Sequence, residues 1–231
     1  MDRSRGIHGR LGAVRPVGPG RRLAGGLPDQ VCARLPEAAR GIVAELLGRQ
    51  PCAIRVTPPR RSKLGDHRPP GRGAAEHRIT LNADLNPYAF LTTLLHELAH
   101  AITWERHRRR RVRPHGREWK AEFAALVGPI VALDLLPQDV RGALERSLVN
   151  PAAATCSDRQ LALALARYDP PRPGVVRVEA LAVGDRFRCH GVGVFRAGVI
   201  LRSRRRCFTV PGGREYRFHC LAQVEPLPPP T

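Results

Sequence analysis

The densest apolar pattern in the chain runs from Tyr88 to Ile102. Tyr88, Phe90, Leu91, Leu94, Leu95, Leu98, Ala99 and Ile102 recur at three- and four-residue spacing, which predicts a helix with a broad buried face. Asn86 is a good N-cap, and Pro87 suits the first helical position, where its missing N–H is not needed. Upstream, Val31, Leu35, Ala38, Ala39, Ile42, Val43, Leu46 and Leu47 predict a helix over 28–49, broken near Pro36. Ala53–Val56 and the alternating run His77–Asn82 read as strands, with a charged, Gly/Pro-rich loop over 60–73 between them.

Downstream, Trp119, Phe123 and Leu126 predict a second helix over about 117–126, able to run past Pro129 as 130–135. Leu136-Pro137 breaks it, and Gln138–Leu148 reads as a shorter helix ended by Asn150-Pro151. Arg159–Tyr168 is a further helical stretch, and Asp169–Gly174 a linker. Short β-like runs follow at Val175–Leu181, Asp185–Cys189, Val192–Leu201, Cys207–Val210 and Glu215–Val224, with Gly212-Gly213 turning a hairpin. The expected class is α+β. Its expected parts are a basic disordered tail (1–26), a main domain (27–150), a helix and linker (151–174), a small β-rich module (175–226) and a Pro-rich tail (227–231).

Composition adds a strong charge bias. The formal net charge is +19, and all but two of the 39 basic residues, Lys63 and Lys120, are arginine. Such a balance favours polyanions such as DNA as partners, chiefly through phosphates, although a GC-rich coding bias would also enrich arginine. No apolar run approaches the roughly 18 residues of a membrane span, and the N-terminus lacks the apolar middle of a secretory signal. The six cysteines are scattered, so reduced thiols in a cytoplasmic protein are expected.

Chemistry concentrates in the apolar helix, at His96-Glu97-Leu98-Ala99-His100. Four residues advance a helix a little over one turn, so both histidines project from one face and can grip one ion. Glu97 can then reach a water on the metal rather than the metal itself. A hydrolytic Zn²⁺ site needs a third protein ligand and an open fourth position. A metzincin would carry a glycine at position 103 and a histidine at 106, where this chain has Thr103 and Arg106. His107 would lie about 10 Å beyond His100 along a straight helix. Glu118 and Glu122 are available as a gluzincin's downstream carboxylate. His115 is the better candidate, because it follows the turn-forming Arg113-Pro114 and opens the second helix.

The combination His96-Glu97-x-x-His100 with His115-Gly116-x-x-Trp119-Lys120-x-x-Phe123 resembles the SprT-like zinc metallopeptidase family, which includes the eukaryotic protease Spartan. Lys63-Leu64-Gly65-Asp66 and Ile79-Thr80-Leu81-Asn82, leading into Leu85-Asn86-Pro87-Tyr88, are similar to its bacterial branch. The resemblance covers about residues 28–150. It implies a minimal zincin-like α+β fold with a gluzincin-like active-site helix, zinc held by His96, His100 and His115, and Glu97 as general base in peptide-bond hydrolysis. It also implies substrates on, or crosslinked to, DNA, and a β-strand at 77–82 that offers its edge to an extended peptide. The Cys-x-x-Cys zinc ribbon that ends many relatives is absent here.

Other polar residues carry weaker expectations. Arg106, Arg108, Arg109, Arg110, Arg111 and Arg113 are candidates for a nucleic-acid-binding rim; the plainer alternative is a solvated helix end complementing the helix dipole. His67 and His77 are expected at the surface. Arg202, Arg204, Arg205 and Arg206 suggest a basic face on the β-module. Cys156, Cys189, Cys207 and Cys220, with His190 or His219, lack the spacing of a second metal site. The rival to a protease is a nucleic-acid-binding or regulatory protein with a structural zinc and a vestigial protease fold.

Overall fold

The computed structural model describes residues 27–60, 63–71, 75–108, 110, 112–149, 158–170, 172–201 and 204–228. The tail expected over 1–26, and Arg109, Arg111, Cys156 and Arg202, lie outside the described residues. The first elements are α1 (Asp29–Cys32), a 3-10 turn (Glu37–Ala39), α2 (Arg40–Arg49), β1 (Cys52–Thr57), β2 (Gly65–Arg68) and β3 (His77–Asn82). Four helices follow: α3 (Pro87–Arg106), α4 (Arg117–Ala132), α5 (Gln138–Val149) and α6 (Arg159–Ala166). The chain then forms β4 (Val176–Arg177), β5 (Arg186–Cys189), β6 (Gly193–Leu201), β7 (Arg204–Thr209), β8 (Glu215–His219) and β9 (Gln223–Leu227). No described helix is long and apolar enough to cross a membrane.

Helix α3 is the centre of the first core. Asn86 caps it, its side-chain oxygen accepting the N–H groups of Tyr88 and Ala89 at 3.1 and 3.0 Å. Thirteen of its twenty residues are buried, so the helix is enclosed on most sides. Three buried threonines need partners in that setting. Thr92, Thr93 and Thr103 each donate to the carbonyl four residues back, at 2.8, 2.7 and 2.7 Å.

The three-stranded sheet has the order β1-β3-β2, with β1 parallel and β2 antiparallel to β3. Register pairs Ile54 with Ile79, and these residues with Leu81 are buried on the face towards α3. Arg55 and Arg78 are exposed on the opposite face. The strand expected to offer an edge to a peptide, β3, is the central one, with both edges paired; β2 is the edge strand beside α3.

The first core extends beyond the boundary expected at 150. Helix α6, expected to belong to a linker region, buries Leu161, Ala164 and Leu165 in it, next to Val140, Ala143 and Leu144 of α5. Pro129 lies inside α4, which continues to Ala132.

The second core belongs to a six-stranded antiparallel sheet in the order β4-β9-β5-β6-β7-β8. Phe187, Phe195, Ala197, Cys207 and Val224 fill it, and the run expected as one strand over 215–224 is two strands, β8 and β9. Gly212 and Gly213, both at positive φ, turn the β7–β8 hairpin as expected. Two of the arginines expected on a basic face have other roles. Arg205 is only 3% exposed and donates to the carbonyls of Gly198, Val178 and Leu181. Arg206 pairs with Glu215 at 2.7 Å.

Candidate metal centre

The three histidines singled out in the sequence converge. His96 and His100 lie one turn apart on α3, and His115 comes in from the turn before α4. The Nε2 atom of His115 is 3.0 Å from Nε2 of His96 and 3.0 Å from Nε2 of His100. Among the described residues this is the group of side chains able to hold a metal ion. Zinc–imidazole bonds of about 2.0–2.1 Å at tetrahedral angles separate ligand nitrogens by roughly 3.3 Å, close to the spacing seen. The chemistry of the donor set agrees. Burial first, then mutual repulsion, keeps the imidazoles neutral, His96 falling to about 3 and His100 to about 4. Burial also lowers His115. Three neutral nitrogens aimed at one point suit a cation better than one another.

His115 reaches this point through an unusual backbone. Its φ is 56°, a left-handed conformation that non-glycine residues rarely adopt. Gly116 closes the turn, its N–H donating to the Arg113 carbonyl at 2.9 Å, and a Cβ on it would lie 2.9 Å from that same oxygen. The His-Gly pair therefore needs its glycine for space. One turn into α4, the indole of Trp119, 2% exposed, packs against all three imidazoles with ring centroids at 4.6, 5.4 and 4.7 Å. Phe123 stacks on its other side at 5.0 Å. This wall of aromatic rings fixes the imidazole planes and keeps water from one side of the cluster.

Glu97 faces the opposite wall, formed by β2. A Cβ on Gly65 would come within 2.8 Å of both Cγ and Oε1 of Glu97. Burial, with Asp66 nearby, raises the Glu97 carboxyl to about 7, while Lys63, Arg60 and the His67 backbone N–H oppose the shift. A dication at the histidines would pull the value back down. Without metal, the carboxyl is therefore held well above the ordinary carboxylate range by its burial.

Sequence reasoning missed a polar chain beside this site. His77 is 3% exposed, not at the surface. Its Nδ1 meets His67 Nε2 at 2.8 Å, and its Nε2 meets Glu105 Oε1 at 3.0 Å. A carboxylate only accepts, so His77 donates from Nε2 to Glu105, while its Nδ1 shares a hydrogen bond with His67 Nε2. The chain ties edge strand β2, through β3, to the last turn of α3, and the His67 ring lies parallel to that of His100 at 6.3 Å. The alternation of His77 with Ile79 and Leu81 was the signal available: it puts His77 on the buried face.

The other candidates lie apart from the cluster. Glu122 pairs with Arg106 at 2.9 Å, and neither it nor Glu118 joins the histidines. His107 caps the C-terminus of α3. Of the arginine run, Arg106 is thus engaged with Glu122. Arg108 pairs with Glu105 at 2.7 Å and lies over the Trp104 ring at 4.7 Å. Arg110 and Arg113 are exposed.

The α+β domain thus has a central helix that presents two histidines and a carboxylate, completed by a His-Gly turn, and the three histidines could hold a metal ion. Residues 48–131, from the last turn of α2 to the last turn of α4, match the SprT-like family. No curated protein and no solved structure gives a significant match.

Proposed function

We propose that the chain is a zinc-dependent peptidase with a zincin-like active site. The observation that carries this reading is the approach of three neutral imidazole nitrogens to one point, with a buried carboxyl one residue from the first of them. His96, His100 and His115 would hold zinc, which supplies a Lewis acid and an acidified water. Glu97 takes a proton from the attacking water and delivers it to the leaving amine. The open edge of β2, beside Glu97, is suited to an extended peptide added as a further strand. The family resemblance and the +19 charge support substrates associated with DNA.

The test is metal content together with casein cleavage. Wild type should bind one zinc and cleave, and a chelator should abolish cleavage. Glu97→Gln should keep the metal and lose roughly 10²–10⁴-fold in rate. A wild-type protein that holds zinc firmly and cleaves nothing would make the metal structural and end this reading.

A further inference from the structure

The outer face of the three-stranded sheet carries an arginine cluster that the hydrolytic site does not use. Arg55 on β1, Arg78 on β3 and Arg68 on β2 are exposed there, and Arg60 reaches over the same face. Together with Asp66 and Thr80 they line a shallow concavity of about 210 Å³.

Charge on this face is poorly compensated. Asp66 is the lining carboxylate, and it already accepts from Lys63 at 2.7 Å and Arg68 at 3.2 Å. Arg60 donates to neutral groups, the side-chain oxygens of Asn82 and Thr80 at 2.8 and 3.0 Å, so its charge is not cancelled. Arg55 and Arg78 form no ion pair among the described residues. Moreover, Arg68 and Arg78 are direct cross-strand partners. Like charges placed opposite each other destabilise a sheet, and Asp66 pairs with the Arg68 side alone, leaving Arg78 without a carboxylate among the described residues.

We propose that this face binds the phosphate backbone of nucleic acid. Planar guanidinium forks match phosphate oxygens, and several in one open concavity suit a repeating polyanion. A small metabolite would need a deeper enclosure. A lipid surface would need apolar anchors, whereas the exposed large hydrophobic side chains, such as Leu133, Val183 and Val199, lie on other elements. With no aromatic platform among the lining residues, binding is to backbone and independent of sequence. Strand β2 has both functions: Asp66 and Arg68 face the concavity, while Gly65 packs on Glu97. A protein held on nucleic acid is thereby presented to the edge of the catalytic sheet. That last step rests on the peptidase reading; the binding itself does not.

The test is anisotropy of a short labelled DNA strand across a salt series. It is run on wild type, on Glu97→Gln, on the double variant Arg55→Ala with Arg78→Ala, and on Arg110→Ala with Arg113→Ala. Reading Glu97→Gln as well keeps the result independent of cleavage. The sheet-face double variant should bind about 10-fold more weakly on every sequence, with a salt slope reduced by about two. Its thermal midpoint should hold or rise, because a like-charge pair is relieved. Unchanged affinity in that variant, or a loss confined to the Arg110 and Arg113 pair, overturns the assignment. Displacement of DNA by poly-glutamate at equal charge concentration would replace nucleic acid with an acidic protein as the partner.

Discussion

Gly65 and Glu97 meet with no space for a methyl group between them: a Cβ at position 65 would stand 2.8 Å from Oε1 of the carboxylate and 2.7 Å from Cγ2 of Thr93. The edge strand rests directly on the residue expected to move the proton. Gly65→Ala must push the strand or the carboxylate aside. The expected cost is about 1–3 kcal/mol of stability. Peptide cleavage should fall by on the order of 10²-fold, because displacement at a reacting centre is expensive. Metal content should be unchanged, since the histidines lie away from the clash. Zinc analysis and initial rates on the same preparation check this, and loss of metal would mean that the strand supports the histidines instead.

His115 is held at φ 56°, so its two simplest replacements should differ. His115→Ala and His115→Gly both remove a ligand and should both lose the metal. Alanine keeps the left-handed strain and glycine does not. In the absence of metal, the glycine variant should be the more stable by about 1 kcal/mol in denaturant unfolding. Equal stabilities would show that the turn relaxes once the imidazole is gone.

Acid should unfold the metal-free protein early. Burial lowers His67 to about 4, His96 to about 3 and His100 to about 4, from an ordinary 6.5. A depressed histidine contributes stability above 6.5 that is lost as pH falls towards its folded value, because the unfolded chain takes up the proton first. Glu97, raised from 4.5 to about 7, has the opposite slope, stabilising below 4.5 and losing that contribution as pH rises through 7. Three imidazoles outweigh one carboxyl, so thermal midpoints of the metal-free protein should drop steadily between pH 6.5 and 4. A flat profile over that window would show that the cluster is solvated when the metal is absent.

What the sequence made legible was what periodicity and capping control. Helix α3 starts at Pro87 behind the Asn86 cap as expected, and its i, i+4 spacing puts His96 and His100 on one face. The His-Gly pair pointed to His115, although its positive φ is a property of the turn that no pattern encodes. Strand β2 was invisible because Gly-Asp-His-Arg has no apolar alternation. It is a strand through its pairing to β3 and through Gly65, whose missing side chain lets it approach α3. The guanidinium of Arg205 looked like surface charge, because the carbonyls that accept from it lie at Gly198, Val178 and Leu181 and are gathered only by the fold. Local signals reveal elements; partners distant along the chain decide which polar residues go inside.

The amide nitrogen of Asn86 donates to the Leu165 carbonyl at 2.9 Å and to Asp169 Oδ1 at 2.6 Å, while Tyr88 and Tyr168 pack edge to face. The residue that starts the helix bearing two of the histidines is thereby moored to a segment some eighty positions later, well past the stretch that matches the family. A gene fragment cut to the recognisable region would keep every candidate ligand and lose the anchorage that sets their helix in place. The likeness is legible in the shorter span, whereas the mooring of its helix lies in the longer one.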